Sequence, residues 1–148
     1  MRVSSHYRVE MCRLLTSTSD WLSVSTWESA NPKWTPTVLS VEYHAEKAKS
    51  EFDAGLRLLG TILTLFWRIL TLILCSVGAD FLESFSVPGL WADDDVERIA
   101  KIGIIAISRN GIDSTAVVDG HPVLKNHKGN ILLIKDEIQN NISSTTIR

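Results

Sequence analysis

The 148-residue chain has only two cysteines, and this scarcity excludes several classes of protein. Cys12 and Cys75 lie far apart, so the sequence has neither a CxxC pair for zinc nor the cysteines of a disulfide framework. A strong charge of one sign is also lacking, because the formal net charge is −2 and lysine and arginine form no cluster. The composition therefore argues against nucleic-acid binding, which usually requires a basic patch.

Short motifs of the common enzyme classes are absent as well. The glycines form neither a GxGxxG fingerprint nor a P-loop, so the motifs do not support nucleotide binding. His44 and Glu46 do not have the HExxH spacing of zinc proteases. The chain has no early apolar segment of the kind found in signal peptides, so a cleaved secretory signal is not expected.

Aspartate and histidine recur in the C-terminal third, at Asp113, Asp119, His121 and His127. Carboxylate and imidazole groups bind metal ions, but turns also contain these residues for structural reasons. A Ser108–His121–Asp113 triad can be drawn, but no nucleophile-elbow pattern accompanies it. We therefore expect no enzyme, no cofactor and no metal site.

The most apolar stretch of the chain runs from Leu56 to Ala79, and between Leu58 and Ala79 its one charge is Arg68. As a helix, this stretch would be roughly 36 Å long, which exceeds the roughly 30 Å of a bilayer's hydrocarbon core. A central arginine opposes insertion, but the many Leu and Ile residues offset its cost. The stretch is therefore a candidate transmembrane span.

Polar and small residues within this stretch recur at steps of three and four, which places them on one stripe of a helix. Residues of this kind inside a span usually face another helix or a water-filled cavity. We interpret them as a helix-association stripe, with an oligomeric pore as its variant. The stripe consists of Arg57, Gly60, Thr61, Thr64, Arg68, Thr71 and Cys75. An in-plane interfacial helix and the core helix of a soluble bundle remain the alternatives.

Four tryptophans outside the span are candidates for contacts with a partner or an interface: Trp21, Trp27, Trp34 and Trp91. The tryptophan ring is apolar and its N–H needs an acceptor, so it favours both protein and membrane interfaces. Packing in a small core is the simpler interpretation of the same residues.

The orientation of the span follows from the basic residues that flank it. Lys47, Lys49 and Arg57 precede it, whereas Arg98 is the one basic residue close after it. The positive-inside rule then predicts a cytosolic N-terminus and a translocated C-terminus. The glycosylation sequon at Asn141 falls on the translocated side, as this topology requires.

After the span, the chain changes from acidic to strand-like. Asp93, Asp94 and Asp95 precede a short predicted helix, where acidic side chains favour the helix N-terminus. Further on, Asn110-Gly111 and Asp119-Gly120 are hairpin signals. We therefore predict an antiparallel β-meander with strands near 102–108, 113–118, 122–125 and 130–135.

These features predict an α+β fold in which one long helix precedes a small antiparallel β-meander. The predicted segments are a polar arm rich in Trp, Ser and Thr (1–39), a long helix (40–79) that contains the apolar span (56–79), an acidic linker with a short helix (80–101), the β-meander (102–139) and a polar tail (140–148).

The expected function is that of a non-enzymatic, single-pass membrane protein that acts through helix association and protein–protein contacts. A subunit of a membrane complex and a small viral or accessory protein both fit. Its expected partners are the membrane and either another protein or further copies of the chain, with no nucleic acid. The alternative is a soluble, cytoplasmic α+β interaction module that binds and modulates another protein, with residues 56–79 as its core helix.

Overall fold

The computed structural model describes residues 4–59, 74–108 and 113–135. The chain divides into two compact units, Met1–Ser40 and Val41–Arg148. Helix α3 (Thr37–Leu59) begins in the first unit and continues into the second.

The first unit contains two helices before α3, namely α1 (Ser5–Thr16) and α2 (Trp27–Ala30). No residue of α1 is buried. Several of its apolar side chains are open to solvent, with exposures of 57% for Met11, 74% for Leu14 and 80% for Leu15.

Helix α3 begins beside a proline. The Pro36 carbonyl accepts hydrogen bonds from the backbone N–H groups of Leu39 and Ser40. Proline suits this position because it needs no N–H partner at a helix start. Ser40, which is buried, donates its hydroxyl to the Glu28 carboxylate at 3.3 Å.

The second unit contains three parallel strands in the order β1 (Cys75–Gly78), β2 (Ile104–Ser108) and β3 (Ile131–Lys135). Ile104 pairs with Cys75 on one side and with Ile131 on the other. The predicted antiparallel meander is therefore wrong. Parallel strands need a crossover instead of a hairpin, and helical segments form the connections.

Besides α3, the described residues of this unit form the helical segments α4 (Ala79–Ser84), α5 (Asp93–Ile102), α6 (Ser114–Gly120) and a 3₁₀ segment (Leu124–Asn130). Helix α4 packs against β1, β2 and α6, and the 3₁₀ segment packs against α5, α6 and β3.

Helix α5 shows how the sequence determines its ends. Asp93, Asp94 and Asp95 occupy its first turn and Lys101 its last, so the charges match the helix dipole. Gly103 follows at φ 111°, a conformation that favours glycine, and directs the chain into β2.

An ion pair also joins α5 to α3. Arg98 forms two hydrogen bonds with the Glu42 carboxylate, from Nε to Oε1 at 2.7 Å and from Nη2 to Oε2 at 2.5 Å. Hydrogen bonding to Glu42 raises the pKa of Arg98. This two-bond geometry fixes one helix against the other within the second unit.

Two segments that were predicted as strands are helical. Residues 113–118 begin α6, because the Asp113 carboxylate accepts the backbone N–H groups of Thr115 and Ala116, both at 3.1 Å. Residues 122–125 enter the 3₁₀ segment, where His121 Nδ1 accepts the N–H groups of Val123 and Leu124 at 3.2 and 3.4 Å. These side chains satisfy the free N–H groups of a helix start, which a strand does not have.

The core of the second unit lies on one side of the sheet. Leu82, Ile99, Ile104 and Leu124 are at most 1% exposed. On the opposite side, Ile107, Leu132 and Ile134 are 38–52% exposed. The parallel register places these three side chains on one face, which we call the open face of the sheet.

The helix that was predicted over residues 40–79 is wrong in its last part. Cys75–Gly78 is a strand, and the Cys75 N–H donates to the Gly103 carbonyl at 2.8 Å. Across the described ranges, we find no helix with both the length and the apolar character required to cross a bilayer. Most of the predicted span, including Gly60, Thr61, Thr64, Arg68 and Thr71, lies outside the described residues.

Candidate functional site

The carboxyl ends of the three strands are the first place to look for a site. All three strands run in the same direction, so they end at the same edge, at Gly78, Ser108 and Lys135. In open parallel sheets, ligands bind outside this edge, where loops and helix starts supply polar groups. We call this region the carboxyl edge.

A glycine and an aspartate lie together at the end of β1. A Cβ atom added to Gly78 would lie 2.3 Å from Asp80 Oδ1, so the carboxylate occupies space that only glycine leaves free. Asp80 is exposed on the first turn of α4. The arrangement presents a carboxylate to solvent at the carboxyl edge.

Three aromatic rings pack together after β1. Phe81, Phe85 and Trp91 meet edge to face, with ring centroids 4.9–5.4 Å apart. Trp91 Nε1 donates to Ser84 Oγ at 3.1 Å, and the ring is half-buried. We call Phe81, Phe85, Trp91 and Ser84 the aromatic cluster.

The first unit has a pocket of its own, with a volume of about 600 Å³. Its lining includes two cationic residues, Arg8 and Lys33, together with the Glu28 carboxylate. Trp34 also lines it and is 84% exposed. Cationic groups bind phosphate, and an exposed indole ring offers a stacking surface, so the pocket suits an anionic ligand that contains a ring.

Comparison with known proteins points to one chemistry. The chain is 32% identical, over 99% of its length, to nicotinamide/nicotinic acid mononucleotide adenylyltransferase 1 of Bos taurus. The enzyme of the same name from Saccharomyces cerevisiae is 33% identical over 97% of the chain. The nicotinamide-nucleotide adenylyltransferase of Drosophila melanogaster is 33% identical over 95%. These relatives are adenylyltransferases.

The chain covers only part of the length of each of these relatives. The chain spans 60% of the bovine protein, 35% of the yeast protein and 39% of the fly protein. No protein-family model matches the chain.

The relatives overturn the expected function. Proteins that are named as enzymes match almost the whole chain, so the expectation of a non-enzymatic protein is wrong. The membrane-anchored protein and the interaction module are wrong for the same reason. The membrane, a protein partner and a homo-oligomer were expected as partners, whereas the relatives' names specify a mononucleotide.

The predicted stripe does not form one helical surface, because Cys75 lies in β1. Burial raises the pKa of the Cys75 thiol, so this group is protonated at neutral pH. Arg57 is a residue of helix α3. The remaining stripe residues and the sequon at Asn141 lie outside the described residues.

The four predicted tryptophans occupy different surroundings. Trp34 lines the pocket, and Trp91 belongs to the aromatic cluster. Trp27 begins α2 and is half-buried, and Trp21 is 81% exposed. Their role in contacting a ligand or partner stays a prediction.

Three of the four aspartates and histidines singled out in the C-terminal third have structural contacts. Asp113 caps α6, Asp119 pairs with Lys128, and the buried His121 accepts backbone N–H groups. Within the described ranges, no three Asp, Glu, His or Cys residues are grouped as metal ligands.

Sequence reasoning missed Asp80, Arg8 and Lys33. One signal was available for Asp80, because Gly78-Ala79-Asp80 directly follows an apolar run, as a strand end does. Arg8 and Lys33 are far apart in the chain, so only the folded first unit brings both to one pocket.

Proposed function

We propose that this chain contributes the substrate-binding part of a mononucleotide adenylyltransferase. The observation that carries the proposal is the parallel sheet whose first strand ends at Gly78, with Asp80 following in the first turn of α4. This is the edge at which α/β proteins bind nucleotides. The similarity to named adenylyltransferases over 95–99% of the chain supports a mononucleotide as the substrate.

The chemistry defines what such a site must do. In adenylyl transfer, a phosphate oxygen of the mononucleotide attacks the α-phosphorus of ATP. A new P–O bond forms, and the bond to pyrophosphate breaks. Both reactants are anionic, so the protein accelerates the step mainly by holding them in line and by balancing their charge.

Each unit, taken by itself, offers groups that suit these substrates. At the carboxyl edge, Asp80 is placed to accept hydrogen bonds from ribose hydroxyls, and in the aromatic cluster Trp91 offers part of its ring for stacking. In the pocket of the first unit, Arg8 and Lys33 suit a phosphate, and Trp34 suits a ring.

We also propose that the protein acts in the cytoplasm, which is the alternative location left open by the sequence. A mononucleotide is charged and dissolves in water, so an aqueous compartment fits the substrate that the relatives' names specify. Fractionation of cells that express the chain checks this proposal, and recovery in the membrane pellet would contradict it.

The proposed function predicts that the chain binds nicotinamide mononucleotide through Asp80. Replacing Asp80 by Asn removes the charge and one acceptor, so we expect about tenfold weaker binding by isothermal titration calorimetry. Glu83→Gln is the matched control, because Glu83 is an exposed acid of the same helix.

Two results would contradict the proposal. The first is a wild-type chain that does not bind the mononucleotide. The second is an Asp80→Asn variant that binds it as tightly as the Glu83→Gln control. Formation of the dinucleotide from the mononucleotide and ATP, followed by chromatography, then tests the reaction itself.

A further inference from the structure

The hydrogen bonds around Trp91 run in one direction. The Ser84 hydroxyl donates its single proton to the Phe81 carbonyl at 2.6 Å. Its oxygen therefore faces Trp91 as an acceptor, and Nε1 of the indole donates to it at 3.1 Å. Because the first bond fixes the hydroxyl, the acceptor for the indole has one orientation.

Two phenylalanine rings restrain the same indole. The Trp91 centroid lies 5.4 Å from that of Phe81 and 4.9 Å from that of Phe85, with interplanar angles of 73° and 75°. These edge-to-face contacts limit the tilt of the ring, and the bond to Ser84 limits its rotation within its own plane. The ring is half-buried, so part of it stays open to solvent.

Ser84 and Asp80 lie four residues apart in helix α4. Residues with this spacing share one face of a helix, about 6 Å apart along its axis. Trp91 is hydrogen-bonded to Ser84, so this spacing places the indole on the face of α4 that carries Asp80, one helical turn further from the carboxyl edge.

We infer that Ser84 is a positioning residue that holds the Trp91 ring in the orientation in which it stacks on the mononucleotide. This inference rests on the proposed function, and it assigns Ser84 no contact with the substrate. The ring is ordered before the ligand arrives, so binding costs less conformational entropy. Loss of the hydroxyl should therefore weaken binding while the fold is kept.

The test compares three variants at neighbouring serines. Ser84→Ala removes the acceptor, Ser84→Thr keeps a hydroxyl, and Ser86→Ala removes an exposed serine nearby as the control. Two quantities are measured for each: the affinity for nicotinamide mononucleotide and the indole N–H resonance of Trp91 in the ligand-free protein. The chain has five tryptophans, and the Trp91→Phe variant assigns the resonance.

We expect Ser84→Ala to bind the mononucleotide about three- to tenfold more weakly, the effect of one hydrogen bond. Its Trp91 resonance should move upfield and exchange faster with solvent, because the N–H loses its acceptor. Ser84→Thr should restore affinity to within about twofold, and Ser86→Ala should match the wild type.

An unchanged Trp91 resonance in Ser84→Ala would overturn the inference, because the ring would then be held without Ser84. A shifted resonance with unchanged affinity would also overturn it, because Ser84 would then serve the fold alone. A wild-type chain that does not bind the mononucleotide overturns the proposed function, and with it the part of the inference that concerns recognition. The ligand-free resonance still decides separately whether Ser84 holds the ring.

Discussion

Gly78 shows how one missing side chain shapes the candidate site. Its backbone has φ −76° and ψ 158°, which alanine adopts without strain. An alanine side chain would clash at this position, because its Cβ would lie 2.3 Å from Asp80 Oδ1. The Asp80 carboxylate ends a flexible side chain, so it would turn away while the strand stays in place.

At the residue scale we therefore expect Gly78→Ala to keep the fold and lose ligand affinity. The midpoint of thermal unfolding should change little, whereas binding of nicotinamide mononucleotide should weaken about as much as in Asp80→Asn. Gly120→Ala is the control, since no atom lies within 4 Å of the added Cβ. Wild-type affinity in Gly78→Ala would show that the position of Asp80 does not matter.

At the element scale, the start of helix α6 depends on one carboxylate. Asp113 accepts two backbone N–H groups there, and Asp113→Ala leaves both without that acceptor. We expect a loss of about 1 kcal/mol in the free energy of unfolding, measured with urea. Asp113→Asn keeps an acceptor oxygen and should lose much less, so an equal loss in both variants would contradict the capping role.

Helix α6 also shows why the sequence predicted a strand near 113–118. Val117 and Val118 are β-branched and stand beside Asp119-Gly120, so local propensity and turn chemistry both predict a strand and a hairpin. Two features outweigh that signal. Asp113 caps the helix, and packing buries Val118.

The strands near 102–108 and 130–135 were predictable because their isoleucine and leucine runs are strong local signals. Their parallel pairing was not, since it depends on which residues lie between the strands. The run Ile104 to Ile107 was itself a clue, because strands covered on both faces are typical of parallel sheets. The hairpin signal at Asn110-Gly111 was given more weight.

The candidate site was less predictable than the strands. Nucleotide binding was rejected because the sequence has no GxGxxG fingerprint and no P-loop. The carboxyl edge needs no such motif, since it arises from parallel topology and places Gly78 and Asp80 together. Trp34 and Trp91 were already candidates from the sequence, because aromatic rings commonly serve recognition, and their role stays a prediction.

At the scale of the whole molecule, the open face of the sheet is an apolar surface of the second unit, formed by Ile107, Leu132 and Ile134. Its three side chains are already partly in water, so a polar replacement loses little burial. We expect Leu132→Lys to change the free energy of unfolding by less than about 1 kcal/mol, measured by urea unfolding.

Leu124→Ala is the contrasting variant on the buried side of the sheet. Leu124 is 0% exposed, so its truncation leaves a cavity and should cost about 2–5 kcal/mol. If Leu132→Lys destabilised the protein as strongly, the open face would have to be covered, and the contrast between the two faces would be lost.

Parallel pairing also sets the order of events during synthesis. Cys75 must meet Ile104, and Ile104 must meet Ile131, so each pairing joins residues roughly thirty positions apart. Ribosomes add about 5–20 residues per second, so β1 waits on the order of seconds for its neighbour. Contacts this distant in the chain form slowly, and the unpaired apolar strand is prone to aggregate meanwhile. Slower translation would lengthen that interval, whereas a chaperone that shields β1 would protect the chain through it.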